Sequence, residues 1–348
     1  MKTQKLFLSS LPNGSKLRAI ADPAQSVLIY DRKLESVSRE FKTWSRKFPH
    51  RYAVSSGEKL KDLKLVAGHF QKLSTLASGL SPKTLTVVAV GGGSVGDFAG
   101  FFASVFKRGV RLVHVPSTWL AAIDSSHGGK TALNISGIKN QIGTFYSASS
   151  VLLVRSLLMN QPESRVQDAM GELAKIALLD GGPWVKKLKR SPLAGGELIW
   201  SFLKPAIQAK MNIVDRDPRE QSGIRQVLNL GHTVGHVFET AYGWSHGRAV
   251  SQGLFFALEF SVAEGFLKSS DALDIYELLE TQFGLAKEWA HQPLSSRRFT
   301  DLLLQDKKRT SKDQVTFIFL PRMGHARRES VPVQNILREA RRQGVVAK

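Results

Sequence analysis

The first half of the chain carries five short runs dense in β-branched and other apolar residues: Ser26–Tyr30, Tyr52–Ser55, Thr84–Val90, Arg111–Val115 and Val151–Val154. Their length suits strands, and their continuous apolar character suits burial on both faces. Helical-period segments such as Asp97–Phe106 lie between several of them. Short buried strands alternating with helices predict an α/β domain built on a parallel, Rossmann-like sheet.

After about residue 160 the pattern changes. Residues 162–182, 197–215, 226–240, 247–267 and 271–283 read as helices, and Val315–Leu320 as one late strand. Asn160-Gln161 followed by Pro162 makes a linker. The expected plan is therefore an N-terminal α/β nucleotide domain, residues 1–160, and a mostly α-helical C-terminal domain, residues 161–348, with the metal and substrate groups.

Charge narrows the partners. Forty-nine Lys and Arg stand against 29 Asp and Glu, a formal +20. Residues 297–348 hold thirteen of the cations and five of the acids. Such a field attracts anions, phosphorylated metabolites among them. No nucleic-acid-binding module accompanies the charge, so nucleic acid is not the expected partner. The chain has no cysteine, so any metal must sit on His, Asp or Glu. No apolar stretch approaches the roughly 18 residues of a membrane span, and the N-terminal apolar run is too short for a signal peptide. A cytoplasmic protein is the expectation.

Three constellations carry chemistry. Gly91-Gly92-Gly93 follows a strand and precedes a helix, with Asp97 in its first turns. Glycines there let a backbone approach a pyrophosphate, and the helix N-terminus offers free N–H groups. Residues 107–146 then place Arg108, Ser117, Thr118, Asp124, Lys130, Lys139 and Asn140 in a glycine-rich stretch read as ligand loops. Lysines beside glycines suit a phosphate or carboxylate. Finally, His232 and His236 are four apart on one helix face, Glu239 lies a turn on, and His246 follows just past that helix. Glu172 sits in an otherwise apolar helix and needs a partner. A metal is one candidate and a structural histidine pair the other.

Taken together, GGGSVGDFAGFFASVFKRG, HVPSTWLAAIDSSHGGKTALN, IKNQIGTFY, GELAK and NLGHTVGHVFE resemble the 3-dehydroquinate synthases of the sugar-phosphate cyclase family. The resemblance runs from about Asp31 to about Gly324. It implies metal ligands at Glu172, His232 and His246 for Zn²⁺ or Co²⁺, and a second active-site histidine at His236. It implies NAD on Gly91, Gly92, Gly93 and Asp97, helped by Glu58, Lys61, Ser117, Thr118 and Lys139. Substrate contacts would come from Asp124, Lys130, Asn140, Lys210, Arg225 and Asn229, with Glu220 the acidic residue before the Gly-x-Arg turn. Arg108 would reach the substrate phosphate across a homodimer interface. Either Lys307 or Lys308 would face the site. The implied reaction turns a phosphorylated keto acid, 3-deoxy-D-arabino-heptulosonate 7-phosphate, into 3-dehydroquinate and phosphate.

Two departures bear on this. The family's His-Gly-Glu block reads His246-Gly247-Arg248, a reversed charge beside an implied ligand. Glu220 takes the acidic position only if Gln221 is a one-residue insertion. The competing readings are a cyclase acting on another phosphorylated ketose, an iron-type alcohol or glycerol dehydrogenase, and a non-catalytic basic binding protein.

Overall fold

The computed structural model describes residues 3–305, 309–311 and 313–347. Lys307 and Lys308 lie outside the described residues. The chain divides into two units, residues 1–165 and 166–348.

Unit 1 is built on a six-stranded sheet in the order β1 (Gln4–Leu8), β8 (Ser150–Val154), β5 (Arg111–Pro116), β4 (Thr86–Gly91), β2 (Ser26–Asp31) and β3 (His50–Val54). All five pairings are parallel. The central strands β4 and β8 are buried along their whole length. That is the pattern of a sheet covered on both faces, and it is why their sequences show no alternation. On one face Leu28, Val88, Val90, Val113 and Leu152 pack with Phe41, Trp44 and Phe48 into one apolar cluster. The chain runs outward from β2 to β3, then returns to place β4 on the other side of β2. The reversal opens a crevice at the C-terminal ends of β2 and β4, where open α/β sheets bind ligands. Gly91–Gly93 stands there.

Two elements of this unit differ from the expectation. β1 pairs with β8 at the sheet edge; its five residues are too few and too amphipathic to stand out in a sequence. The stretch read as ligand loops contains an antiparallel hairpin of β6 (Lys130–Ile135) and β7 (Ile138–Phe145). Ile135 pairs with Ile138, so Ser136 and Gly137 form a two-residue turn, at φ 52° and 78°. Two successive positive φ angles are what a tight hairpin of this hand requires. β7 is mostly exposed, which is why a polar loop was the sequence reading.

Unit 2 is mostly helical. Its helices include Glu163–Asp180, which spans the unit boundary, and Gly195–Val214, His232–Tyr242, His246–Ala263, Ser269–Phe283, Ser296–Gln305 and Val333–Arg342. The expected late strand is β10 (Gln314–Arg322), and it belongs to a three-stranded antiparallel sheet with β9 (Arg309–Ser311) and β11 (His325–Pro332). The helix expected over 226–240 is broken. Ile224–Asn229 is a separate 3₁₀ turn, and the α-helix begins at His232. Gly231 causes the break: its φ is +78°, and a Cβ there would lie 2.9 Å from Leu254 N. Among the described residues no helix is long and apolar enough to cross a membrane.

Candidate functional site

In unit 1 the glycine loop is tight because its neighbours leave no room. A Cβ on Gly91 would stand 2.6 Å from the Val95 side chain, and one on Gly92 3.2 Å from Thr118. The Gly91 carbonyl accepts from the Ser117 N–H at 2.9 Å, tying the loop after β4 to the loop after β5. Thr118 Oγ1 accepts from Ala121 N at 3.2 Å and so opens the turn that carries Asp124. That turn, Ala121–Ser125, is a π-helical segment, a form frequent at functional sites. Gly91, Gly93 and Gly96 stand at the G-x-G-x-x-G spacing of dinucleotide-binding loops, and a Cβ on Gly96 would lie 3.5 Å from the His114 ring.

Three of the implied residues of this unit meet directly. The 3₁₀ turn Glu58–Lys61 brings Lys61 Nζ to 2.7 Å from Asp97 Oδ2 and 2.6 Å from Asn140 Oδ1. Glu58 Oε2 accepts from Asn134 Nδ2 at 2.7 Å. Burial pushes the Asp97 carboxyl up, while the Lys61 ammonium works against it. Lys130 and Lys139 are exposed on the hairpin. Lys107 and Arg108 sit at φ 48° and 66°, and successive left-handed non-glycine residues store strain. Lys107 is tied to the Leu80 carbonyl at 2.5 Å, whereas Arg108 is exposed with no side-chain partner among the described residues.

In unit 2 the trio implied by the resemblance comes together. Glu172 is fully buried on the helix Glu163–Asp180. Its Oε1 lies 3.3 Å from His232 Nε2 and 3.5 Å from His246 Nε2. Each histidine is the first residue of its helix. Glycines permit this close approach of three helices. A Cβ on Gly247 would lie 1.9 Å from the Asp168 carbonyl oxygen, and one on Gly253 1.8 Å from that of Gly231. Each imidazole is oriented from behind. His232 Nδ1 lies 3.2 Å from the Leu230 carbonyl, which can only accept, and His246 Nδ1 lies 3.1 Å from Glu239 Oε2.

The donor set fits a divalent cation. With both Nδ1 atoms turned outward, the two Nε2 atoms face one carboxylate oxygen. The other Glu172 oxygen stands 2.5 Å from Lys175 Nζ. Two imidazole nitrogens and a buried carboxylate oxygen converging on one point call for a cation between them, a proton or a metal ion. Burial, with the Lys175 ammonium adding to it, drives His232 down to about 3, so its imidazole is neutral and able to ligate. Burial alone would raise Glu172; Lys175 and the two histidines reverse this and hold the carboxyl well below its usual range. For His246, burial is outweighed by its bonds to Glu172 and Glu239, which raise it to about 10, so without a metal it carries a second proton that a bound cation would displace. His236 completes the cluster, its ring centroid 5.5 Å from His232 and 6.2 Å from His246. Lys175 was not among the candidates, and Glu239 stood in the histidine constellation without an assigned role. A lysine one turn past a glutamate in an apolar helix was the signal for the first.

The remaining candidates flank a turn after the helix Gly195–Val214. Lys210 and Arg225 are buried. Arg225 Nη1 donates to the Pro218 carbonyl at 2.8 Å. Asn229 ends the 3₁₀ turn, and Glu220 is half-buried at φ 56° while Gln221 is exposed. Asp217, also missed, organises this turn by accepting from the N–H groups of Gln221, Ser222 and Arg225 at 2.8, 3.2 and 3.2 Å. Burial would raise its carboxyl, but those bonds hold it at about 2, against 3.8 unperturbed. A depressed carboxylate stabilises the fold above the unfolded value, and the contribution disappears as pH falls through the folded one. Asp217→Asn should therefore be less stable than the parent by a constant margin above pH 4, and the margin should shrink toward pH 2. Urea unfolding across that range measures it.

Against this geometry, two family models match in succession: 3-dehydroquinate synthase N-terminal over residues 51–168, and 3-dehydroquinate synthase C-terminal over residues 169–309. The chain belongs to the 3-dehydroquinate synthase family. Among its curated relatives is a 3-dehydroquinate synthase of Aeropyrum pernix, 37% identical over 295 residues, covering 82% of this chain and 78% of the relative. One of Desulforamulus reducens is 33% identical over 325 residues, 91% of this chain and 86% of that one. Among solved structures, 2-deoxy-scyllo-inosose synthase complexed with carbaglucose-6-phosphate, NAD⁺ and Co²⁺ superposes with a TM-score of 0.81 at 24% identity. It covers 98% of this chain and 96% of that one, and so shares the sugar-phosphate cyclase fold.

Within this 3-dehydroquinate synthase family member, Arg248 turns away from the trio. It follows His246 by two helical positions, about 200° around the axis. Its guanidinium lies 4.4 Å over the Trp244 ring and 3.7 Å from Glu288 Oε2, half-exposed. Arg248→Ala should therefore leave metal content at the parental level and cost about 0.5–1 kcal/mol of stability, the worth of an exposed cation–π contact. Metal analysis and urea unfolding check both.

Proposed function

We propose that the chain is a 3-dehydroquinate synthase, a carbon–oxygen lyase that converts 3-deoxy-D-arabino-heptulosonate 7-phosphate to 3-dehydroquinate and phosphate. The observation that carries this reading is the buried Glu172, His232 and His246 cluster inside a chain that matches both halves of that family. Zn²⁺ or Co²⁺ on these three residues supplies Lewis acidity toward the alcohol to be oxidised, and NAD⁺ supplies a reversible hydride acceptor.

The chain's own residues do the rest. Gly91, Gly92 and Gly93 admit a pyrophosphate to the backbone at the start of a helix, and Ser117 and Thr118 frame the loop beside it. Asp97, held by Lys61, is placed to accept from a ribose hydroxyl, with Glu58 and Lys139 alongside. Asp124, Lys130, Asn140, Lys210, Arg225 and Asn229 bind and orient the substrate's hydroxyl, carboxylate and phosphate groups. His236 moves a proton at the substrate carbon chain beside the trio, and Glu220 is the acidic residue before the turn that carries Arg225. Oxidation makes a ketone that acidifies the neighbouring C–H. The proton leaves, the C–O bond to phosphate breaks with its electron pair, the ketone is reduced again, and the opened sugar closes by an intramolecular aldol. Arg108 neutralises the leaving phosphate from the partner protomer of a homodimer. A cytoplasmic location suits this metabolite chemistry.

Asp124-Ser125-Ser126-His127-Gly128-Gly129-Lys130, one of the blocks that carry the family resemblance, favours this substrate. The test is phosphate release together with dehydroquinate formation by purified protein supplied with NAD⁺ and Co²⁺. His232→Ala should lower turnover by about three orders of magnitude and bring bound metal near zero. No turnover in the loaded parent would overturn the function, and full turnover in His232→Ala the metal assignment.

A further inference from the structure

One buried polar residue adjoins the implied nucleotide and substrate groups without being one of them. Asn134, on β6, is 8% exposed. A backbone bridge pairs it with Asp62, so β6 lies against the end of the Glu58–Lys61 turn. Its amide is used at both ends. Nδ2 donates to Glu58 Oε2 at 2.7 Å, and Oδ1 accepts from the Asn140 N–H at 2.9 Å. Asn140 has a φ of 54°, a conformation that needs support from its surroundings, and the Asn134 carbonyl supplies it. Lys61 closes the circuit by donating to both Asn140 and Asp97. The turn carrying Glu58 and Lys61 and the hairpin carrying Asn140 are thus joined through one rigid, planar amide and one buried ammonium.

We propose that Asn134 is a positioning residue that couples nucleotide affinity to substrate binding. The inference rests on the reading above, in which Glu58, Lys61 and Asp97 serve NAD and Asn140 serves the substrate. A ligand that fixes Asn140 also fixes Glu58 and Lys61, because Asn134 cannot release one without straining its bond to the other. By linkage the effect is reciprocal: substrate tightens NAD⁺ as much as NAD⁺ tightens substrate. A residue that only stiffened the hairpin would alter stability and leave this ratio untouched.

Calorimetric titration of NAD⁺ tests the proposal, using metal-stripped protein with and without heptulosonate 7-phosphate, so that no turnover intervenes. In the parent and in Gln141→Ala, an exposed hairpin change, substrate should tighten NAD⁺ by roughly fivefold or more. In Asn134→Ala that ratio should fall to near one, and NAD⁺ alone should bind about tenfold more weakly, the scale of a lost buried hydrogen bond. Asn134→Ser leaves a hydroxyl in the buried site but cannot span Glu58 and Asn140 at once. It should also lose the ratio, which covers a failure of the alanine variant to fold. A parent that binds NAD⁺ with no tightening by substrate overturns the inference, and so does an Asn134 variant that keeps the parental ratio. A parent that binds no NAD⁺ at all overturns the nucleotide reading with it.

Discussion

Glu172→Gln should abolish metal retention and destabilise the metal-stripped protein by about 3–5 kcal/mol. The two effects have different origins. Metal is lost because the amide offers no charge to a divalent cation and its NH₂ group cannot ligate. Stability is lost because Lys175, only 2% exposed, is left buried without its counter-charge 2.5 Å away. The double variant Glu172→Gln/Lys175→Met should separate them, since replacing both partners of a buried ion pair by groups of similar volume restores most of the stability. It should still bind no metal. Metal content after dialysis and urea unfolding of the stripped proteins give both quantities. Parental metal content in Glu172→Gln would show that the cation sits elsewhere, and parental stability would show that Lys175 is neutral in the fold.

Gly253→Ala should be among the most damaging methyl groups that can be added near the site. Its Cβ would stand 1.8 Å from the Gly231 carbonyl oxygen and 3.0 Å from Gly235 N, and these are backbone atoms that cannot swing aside. The helices His232–Tyr242 and His246–Ala263 would have to separate, at a cost of about 3 kcal/mol or more. Gly231 immediately precedes His232, so the displacement reaches a proposed metal ligand directly. Metal affinity should fall by at least about tenfold, the scale seen when groups supporting a ligand are lost. Gly68→Ala is the control. It is exposed within the helix Leu63–Leu76 with nothing within 4 Å of the added carbon, and it should gain roughly 0.5–1 kcal/mol. Urea midpoints and competition with a chelator report the outcome. A Gly253→Ala variant as stable as the parent would mean that the two helices have slack between them.

Much of unit 1 was legible from short apolar runs, because a doubly covered parallel sheet writes itself as unbroken β-branched segments. The strand boundaries of β2, β4, β5 and β8 lie within two residues of those runs. β1 and the β6–β7 hairpin were not legible, for two different reasons. β1 is short and at an edge, and β6–β7 mixes exposed polar residues with apolar ones until the pattern resembles a loop. In unit 2 the helix boundary at His232 was missed because Gly231 adopts a positive φ only in the company of Leu254 and Val250, residues distant in the chain.

The sequence by itself determined five of the six strands of the sheet, the glycine loop and the face shared by His232 and His236, since each depends on residues a few positions apart. It also identified the family, through several motifs in order. Only the tertiary structure decided that Glu172, His232 and His246 converge. Glu172 is sixty residues or more from either histidine, and the three helices meet closely because Gly247 and Gly253 leave room for a neighbouring backbone. The direction of Arg248 was decided there as well. In the sequence it stands two residues from His246 with its charge reversed. In the fold, helical rotation carries it round to Trp244 and Glu288, because neighbours along a helix point to different sides.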